Sequence, residues 1–199
     1  MLGLLGIVIA YFLGGIPFGY LLVKWTKGAD VRQSGSGNIG ATNVLRTTGR
    51  AMGVATLLLD IAKGAFAVWL ADWLTGGQPL WMSLAAIFVM AGHAFPVFLG
   101  FKGGKAVASF IGAFLYLTPL PLFAVLLLFV IVVAGTKYIS AGSILAAATF
   151  PFGVWIILHP PVPVTLAALL AGAFIVYRHK ENMQRIRAGN ENVFRWKKS

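Results

Sequence analysis

Between Asp30 and Arg46 the chain reads Asp-Val-Arg-Gln-Ser-Gly-Ser-Gly-Asn-Ile-Gly-Ala-Thr-Asn-Val-Leu-Arg, a run of hydrogen-bond donors spaced by glycines. Gly35, Gly37 and Gly40 let successive backbone N–H groups turn inward as a nest, and a helix-compatible pattern resumes at Ala41 to Arg46. Such a junction binds anions, because unpaired N–H groups and the helix dipole both direct positive charge at the ligand. Ser34, Ser36, Asn38, Thr42 and Asn43 add side-chain donors, and Arg46 offers a two-pronged phosphate grip. The segment lacks the Gly-Lys-Ser/Thr ending of a Walker A loop. A flexible Gly/Ser linker would need neither the two asparagines nor the threonine and arginine.

Two further clusters carry the same chemistry. Gly92-His93 leads through Phe101 to Lys102-Gly103-Gly104-Lys105, where two lysines flank a flexible turn. His93 is expected to be a satisfied buried histidine rather than a catalyst. Farther on, Arg178-His179-Lys180-Glu181-Asn182-Met183-Gln184-Arg185 would, as one continued helix, set Arg178, Asn182 and Arg185 on a single face. Asp60 and Lys63 are three apart inside an apolar run, a spacing that suits a structural ion pair, with support of the substrate site from beneath as the rival role.

The elements that must position these clusters follow from composition. The chain has 199 residues, 59% hydrophobic and 11% charged. With a mean hydropathy of +0.86, it reads as an all-α, polytopic integral membrane bundle. Seven apolar runs cover roughly 2–23, 52–72, 80–98, 106–118, 121–135, 140–158 and 163–177. With the N-terminus outside, the intervening loops and the tail from 178 onward place 15 of the 16 bases on the cytoplasmic side, Lys63 being the sixteenth. That odd count puts all three clusters on one face. Arg195, Lys197 and Lys198 at the end suit a stripe attracted to anionic lipid, and the last dozen residues otherwise carry no pattern. Gly15 and Gly19 hold a small-xxx-small spacing that suits close helix packing. The first run has no basic residue before it and no evident cleavage site, so no removable signal peptide is expected. One domain over 1–199 is expected, with no internal repeat.

Exclusions narrow the chemistry. With no cysteine there are no thiolate nucleophiles, disulfides or Cys-zinc sites, and five acids leave little for paired-carboxylate or carboxylate-metal catalysis. The net charge of +11 sits beside the membrane, which argues for lipid and phosphate rather than nucleic acid. Serine, asparagine, threonine, arginine and lysine donors fit phosphate groups held without metal or cofactor.

These motifs, Ser34 through Arg46, Gly92-His93 through Lys105, and Arg178-His179 with Asn182 and Arg185, resemble those of the bacterial membrane glycerol-3-phosphate acyltransferases that use acyl phosphate, the PlsY family. The likeness spans nearly the whole chain; Met183 departs from a commoner isoleucine. It implies a seven-helix enzyme of the bacterial inner membrane, with its active site at the cytoplasmic face. The implied reaction moves an acyl group from acyl phosphate to the 1-hydroxyl of glycerol 3-phosphate and releases phosphate. On this basis Gly35, Gly37, Asn38, Gly40, Thr42 and Asn43 are expected to bind acyl phosphate, and Ser34, Arg46, Lys105, His179 and Asn182 to bind glycerol 3-phosphate. Ser36, Lys105 and His179 are the expected catalytic groups. Either His179 or the donor's own phosphate takes the hydroxyl proton, and the shortage of acids and histidines favours the phosphate. An apolar groove between spans is expected to admit the acyl chain. A transporter of a phosphate ester or organic anion is the alternative, although such sites usually lie near the bilayer midplane.

Overall fold

A computed structural model of the chain describes residues 1–194; Arg195, Lys197 and Lys198, expected to meet anionic lipid, lie outside the described residues. Among those described there are ten α-helices, two 3-10 turns and no strand. All seven apolar runs are largely helical, but two carry breaks, the third run passing from α-helix at Ala94 through Phe95-Pro96 into the 3-10 turn Val97–Leu99. The first divides into α1 (Leu2–Gly15) and α2 (Phe18–Lys27), because Pro17 has no N–H to continue the ladder. The last is unbroken as α9 (Val162–Arg178), and beyond it α10 (Lys180–Arg187) departs at a bend of 52° at His179.

By length and composition, Leu2–Lys27, Arg50–Thr75, Pro79–Leu99, Pro119–Thr136 and Ile139–Leu158 could each cross a bilayer, and the bent pair makes a sixth. The remaining run of the seven forms Val107–Leu117, which has 11 residues. That is about 16 Å of helix, roughly half the hydrocarbon thickness.

Among the described residues the helices cluster as two compact units, Met1–Leu117 and the chain from Thr118 onward. In the first unit α1 packs on α5 (Pro79–Ala94), and α4 (Arg50–Thr75) packs on α6 (Val107–Leu117). These contacts are backbone-close. A Cβ on Gly14 would run into the carbonyl of Val89 and one on Gly92 into that of Tyr11; Gly64 stands likewise against Ser109 and Gly112 against Ile61. Apolar side chains gain little by leaving lipid for one another, so close backbone approach and polar bonds carry the packing. Gly19 of the predicted glycine pair does allow close approach, but its neighbour is the carbonyl of Ile39 in the loop. Under the loop lies a small core of Val23, Val31, Ile39 and Val44, with Tyr20, Met52 and Leu99 packed against it.

In the second unit α7 (Pro119–Thr136) packs on α8 (Ile139–Leu158), and α8 on α9. After α10 the chain returns and Phe194 N–H donates to Lys137 O at 2.8 Å, tying the tail to the α7–α8 turn.

The α4–α6 contact yields a stability prediction. Gly112→Val should force the two backbones apart and cost about 3 kcal/mol, the upper end for overpacking, since its neighbour is a carbonyl rather than a flexible side chain. Thermal unfolding in detergent checks this, with the exposed Gly135→Val in α7, which has nothing within 4 Å, as the neutral control.

Candidate functional site

The glycine loop is organised by one side chain. Asn43 lies in the first turn of α3 (Ala41–Thr48) and is 2% exposed. Its Nδ2 donates to Ser34 O at 3.0 Å, Asn38 O at 2.8 Å and, more weakly, Val31 O at 3.2 Å. Its Oδ1 accepts from Ser36 N–H at 2.9 Å. Gly35 and Gly37 adopt φ of +61° and +69°, left-handed values that a residue with Cβ resists, and a Cβ on Gly35 would strike Asn43. Asn38 Oδ1 accepts from Gly40 N–H at 2.8 Å and fixes the entry to α3. The tight turn and the helix start expected from the glycine pattern are both present, but the N–H groups of Ser36, Gly37 and Gly40 are bonded within the loop, to Asn43 Oδ1, Ser34 O and Asn38 Oδ1.

This geometry reassigns Asn43. It was expected among the acyl phosphate ligands, but both ends of its amide are spent on the loop's own backbone. It shapes the nest. Ser34, Gly35, Ser36 and Gly37 line the exposed rim, while Asn38, Gly40, Thr42 and Arg46 are half-buried along the start of α3. Arg32 does not serve the rim either: its Nη2 pairs with Asp30 Oδ2 at 2.7 Å and its guanidinium covers the Tyr20 ring at 5.1 Å. The hydrogen bond from Arg32 holds the Asp30 carboxyl below its ordinary range.

The second cluster meets the first. Gly103 N–H donates to Ala94 O and Gly104 N–H to His93 O, each at 3.1 Å, so the turn is pinned to the end of α5. A Cβ on Gly104 would come within 3.4 Å of Asn38 Oδ1, which places the Gly-Gly turn beside the nest and carries Lys105, half-buried, out of it. His93 is 4% exposed and its Nδ1 lies 3.2 Å from Ser109 Oγ. Asp60 and Lys63 pair at 2.6 Å, each side chain 3% exposed.

The tail cluster in the second unit centres on an acid that the sequence reading passed over. Glu191 Oε1 accepts from Asn182 Nδ2 at 2.8 Å and from Ser140 Oγ at 3.0 Å, and Oε2 accepts from Arg185 Nε at 2.9 Å. A signal existed: Glu191 is one of only two acids among the tail's many bases. The last dozen residues, expected to carry no pattern, thus supply the group that orients Asn182 and Arg185. The bend at His179 interrupts the single helix face expected for Arg178, Asn182 and Arg185. At that bend His179 is 4% exposed, and its Nδ1 donates to Ile175 O at 2.7 Å, which leaves Nε2 the basic nitrogen when the ring is neutral.

Loss of the loop's central bonds should be measurable. Asn43→Ala would strand Ser36 N–H and Asn38 O and leave Val31 O and Ser34 O with their backbone partners alone, at a cost of about 1–3 kcal/mol, and reduce activity further than the stability loss explains. Unfolding and turnover measured on the same reconstituted protein check it. Glu191 makes a pH prediction. Burial pushes its carboxyl up, but the bonds from Asn182, Ser140 and Arg185 and the charge of Arg185 outweigh this and hold it below the ordinary glutamate range. The folded chain therefore takes up that proton less readily than the unfolded one. The resulting stabilisation is present above the ordinary range and is lost as pH falls through and below it. Unfolding temperatures from neutral pH to about pH 3 should fall less steeply for Glu191→Gln than for the native chain.

With the geometry established, the chain can be set beside known proteins. The family model described as glycerol-3-phosphate acyltransferase matches residues 4–189. A glycerol-3-phosphate acyltransferase of Geobacter sulfurreducens is 45% identical over 187 residues, covering 94% of this chain and 95% of the relative. One of Trichlorobacter lovleyi is 46% identical over 195 residues, covering 97% and 98%. Among solved structures, the glycerol 3-phosphate form of PlsY, an integral membrane glycerol 3-phosphate acyltransferase, superposes with a TM-score of 0.92 at 36% identity, covering 97% of this chain and 96% of that one. Its lysophosphatidic acid form gives a TM-score of 0.89 at 35% identity, covering 97% and 95%.

Proposed function

This chain belongs to the PlsY family of integral membrane glycerol-3-phosphate acyltransferases, and on that premise we propose that acyl phosphate is its donor and the 1-hydroxyl of glycerol 3-phosphate its acceptor. The hydroxyl oxygen attacks the acyl carbonyl, the bond from carbonyl carbon to phosphate oxygen breaks, and 1-acyl-glycerol 3-phosphate and inorganic phosphate leave. The observation that supports this best is the meeting of two glycine turns at Asn38, the α3 nest on one side and Gly103-Gly104 with Lys105 on the other. Two glycine turns in contact, flanked in sequence by Ser34, Ser36, Thr42, Arg46 and Lys105, suit a substrate pair in which each member carries a phosphate.

The assigned roles follow from position. The turn at Gly35 and Gly37, with Asn38, Gly40 and Thr42 at the entry to α3, receives the acyl phosphate in the loop that Asn43 holds open; since the N–H groups of Gly37 and Gly40 are bonded within the loop, side-chain donors and the remaining amides of the helix start do the binding. Arg46 and Lys105, with Ser34, bind the phosphate of glycerol 3-phosphate. Ser36 donates to the oxygen on which charge develops at the acyl carbon, and fixed donors there lower the barrier without a covalent intermediate. In the second unit, Glu191 holds the Asn182 amide and His179 stands at the bend before it. The leaving phosphate accepts the hydroxyl proton, so the reaction is substrate-assisted. The acyl chain takes the apolar groove of about 340 Å³ lined by Ile16, Pro17, Tyr20, Leu21, Phe98 and Leu99. The distribution of bases supports an inner-membrane protein with seven spans, its N-terminus outside and its site at the cytoplasmic face.

Purified protein in liposomes, given acyl phosphate and labelled glycerol 3-phosphate, should form lysophosphatidate and phosphate in equal amounts. Uptake of the label without acyl phosphate would instead identify a transporter. Arg46→Lys keeps the charge but loses the two-pronged grip and should lower kcat/KM about tenfold or more, equivalent to about 1.4 kcal/mol or more. His179→Ala should retain substantial turnover at saturating substrate; complete loss there would make His179 the base.

A further inference from the structure

Beneath the Gly103-Gly104 turn, at membrane depth, lies a chain of polar contacts that the proposed chemistry does not use. It begins at the break between α1 and α2. Ile16 O accepts from Lys63 Nζ at 2.9 Å, and the same ammonium stands 5.6 Å from the centre of the Phe18 ring. Lys63 pairs with Asp60 at 2.6 Å, and Asp60 Oδ1 in turn lies 3.7 Å from His93 Nδ1. Ser109 Oγ on α6 meets that same nitrogen at 3.2 Å. The opposite edge of the imidazole packs on the turn: a Cβ on Gly104 would overlap His93 Nε2. His93 O and Ala94 O hold the two glycine N–H groups from the same side.

We propose that Asp60, Lys63 and His93 form a buried positioning relay, anchored at the α1–α2 break, that sets the Gly103-Gly104 turn and with it Lys105. Energetics favour a geometric role over a stabilising one. Two charges removed from water recover little net energy from their pairing, and an apolar pair of similar volume would pack α4 as well or better. What an apolar pair cannot do is orient an imidazole. The Asp60 carboxylate and Ser109 act on Nδ1, favour the tautomer protonated there, and fix the ring plane so that its Nε2 edge abuts Gly104. Lys63 holds the carboxylate at 2.6 Å, and by binding Ile16 O it also ties the relay to a carbonyl that the proline break leaves outside the helix ladder. Every member is held from two sides, and the one element of the relay's surroundings that faces the candidate site is the glycine turn. These three are positioning residues: none is placed against substrate.

The inference rests on Lys105 binding glycerol 3-phosphate, so the test separates the two ideas. Asp60→Asn/Lys63→Met removes both charges together, and Ser109→Ala is a milder variant that perturbs only the Nδ1 side. Each is measured for unfolding temperature, kcat, KM for glycerol 3-phosphate, and hydrogen exchange at the Gly103 and Gly104 amides. The relay predicts faster exchange at those amides and a KM raised at least about fivefold in the double variant and about twofold in Ser109→Ala, with kcat changed less and unfolding near the native temperature. Native KM and native exchange in a variant that unfolds normally would overturn it, as would activity that only tracks the folded fraction. If the double variant does not fold, Ser109→Ala together with His93→Gln decides by the same readouts. Lys105→Ala is the control for the substrate assignment: unchanged KM there refutes that assignment, and the relay then stands or falls on the exchange rates alone.

Discussion

A backbone N–H or C=O near lipid has no water to bond, and an unpaired one costs several kcal/mol. Wherever this chain leaves a helix at or near membrane depth, some side chain or returning strand of backbone must take over the hydrogen bonds the helix gave up. The structure meets that demand at each break by a different device. Asn43 bonds the glycine loop from within, Lys63 takes the carbonyl of Ile16, and the end of α5 takes the two N–H groups of Gly103 and Gly104. In the second unit Glu191 gathers Ser140, Asn182 and Arg185, and Phe194 closes on Lys137. In the first unit these repairs surround the two glycine turns: non-helical backbone exists there because buried polar side chains and the end of α5 satisfy it.

The same constraint explains what could be foreseen. Hydropathy and the placement of bases were sufficient for an all-helical membrane protein with seven apolar runs, and the glycine spacing was sufficient for a nest opening α3. Those are local properties. Which polar residue faces inward and which outward is not local. Asn38 and Asn43 are the same residue type five positions apart, yet one borders the site and the other is the buried staple behind it. Nothing in their immediate neighbours distinguishes them; the chain reversal at Gly35 and Gly37 does, since it brings Ser34, Ser36 and Asn38 around a single amide. Glu191 was missed for a related reason. Its partners lie at positions 140, 182 and 185, and only the tail's return past α10 brings them together. The bend at His179 was equally invisible, because residues 178–187 satisfy a helical pattern whether or not the axis continues straight.

Charge placement ties these points to function. Four of the five acids are engaged: Asp30 by Arg32, Asp60 by Lys63, Asp72 by the Tyr116 hydroxyl, and Glu191 by Arg185 and two neutral donors. Asp30 and Asp60 are bound to bases two and three positions away, whereas Asp72 and Glu191 reach partners 44 and up to 51 positions distant. An acid left loose near the glycine turns would compete with a phosphate for Arg46 and Lys105. Engaging these carboxylates elsewhere leaves the excess of bases, a net charge of +11, for anionic ligands and for the membrane surface.

Asp60 is the exception that tests the logic. It is the acid buried deepest in a span, with partners on three elements besides its own: Lys63 leads to the α1–α2 break, and His93 to α5 and, through Ser109, to α6. A carboxylate whose only task was to neutralise Lys63 would need none of these. A lysine whose only task was to cap Ile16 O could be replaced by a hydroxyl reaching the same carbonyl, without importing a charge. The pair is economical only if the carboxylate itself is required, and the group it reaches beyond Lys63 is an imidazole packed on the backbone of the glycine turn. Membrane-depth charge and loop geometry are therefore one problem in this fold, solved by placing an ion pair below the membrane boundary and an imidazole between it and the site.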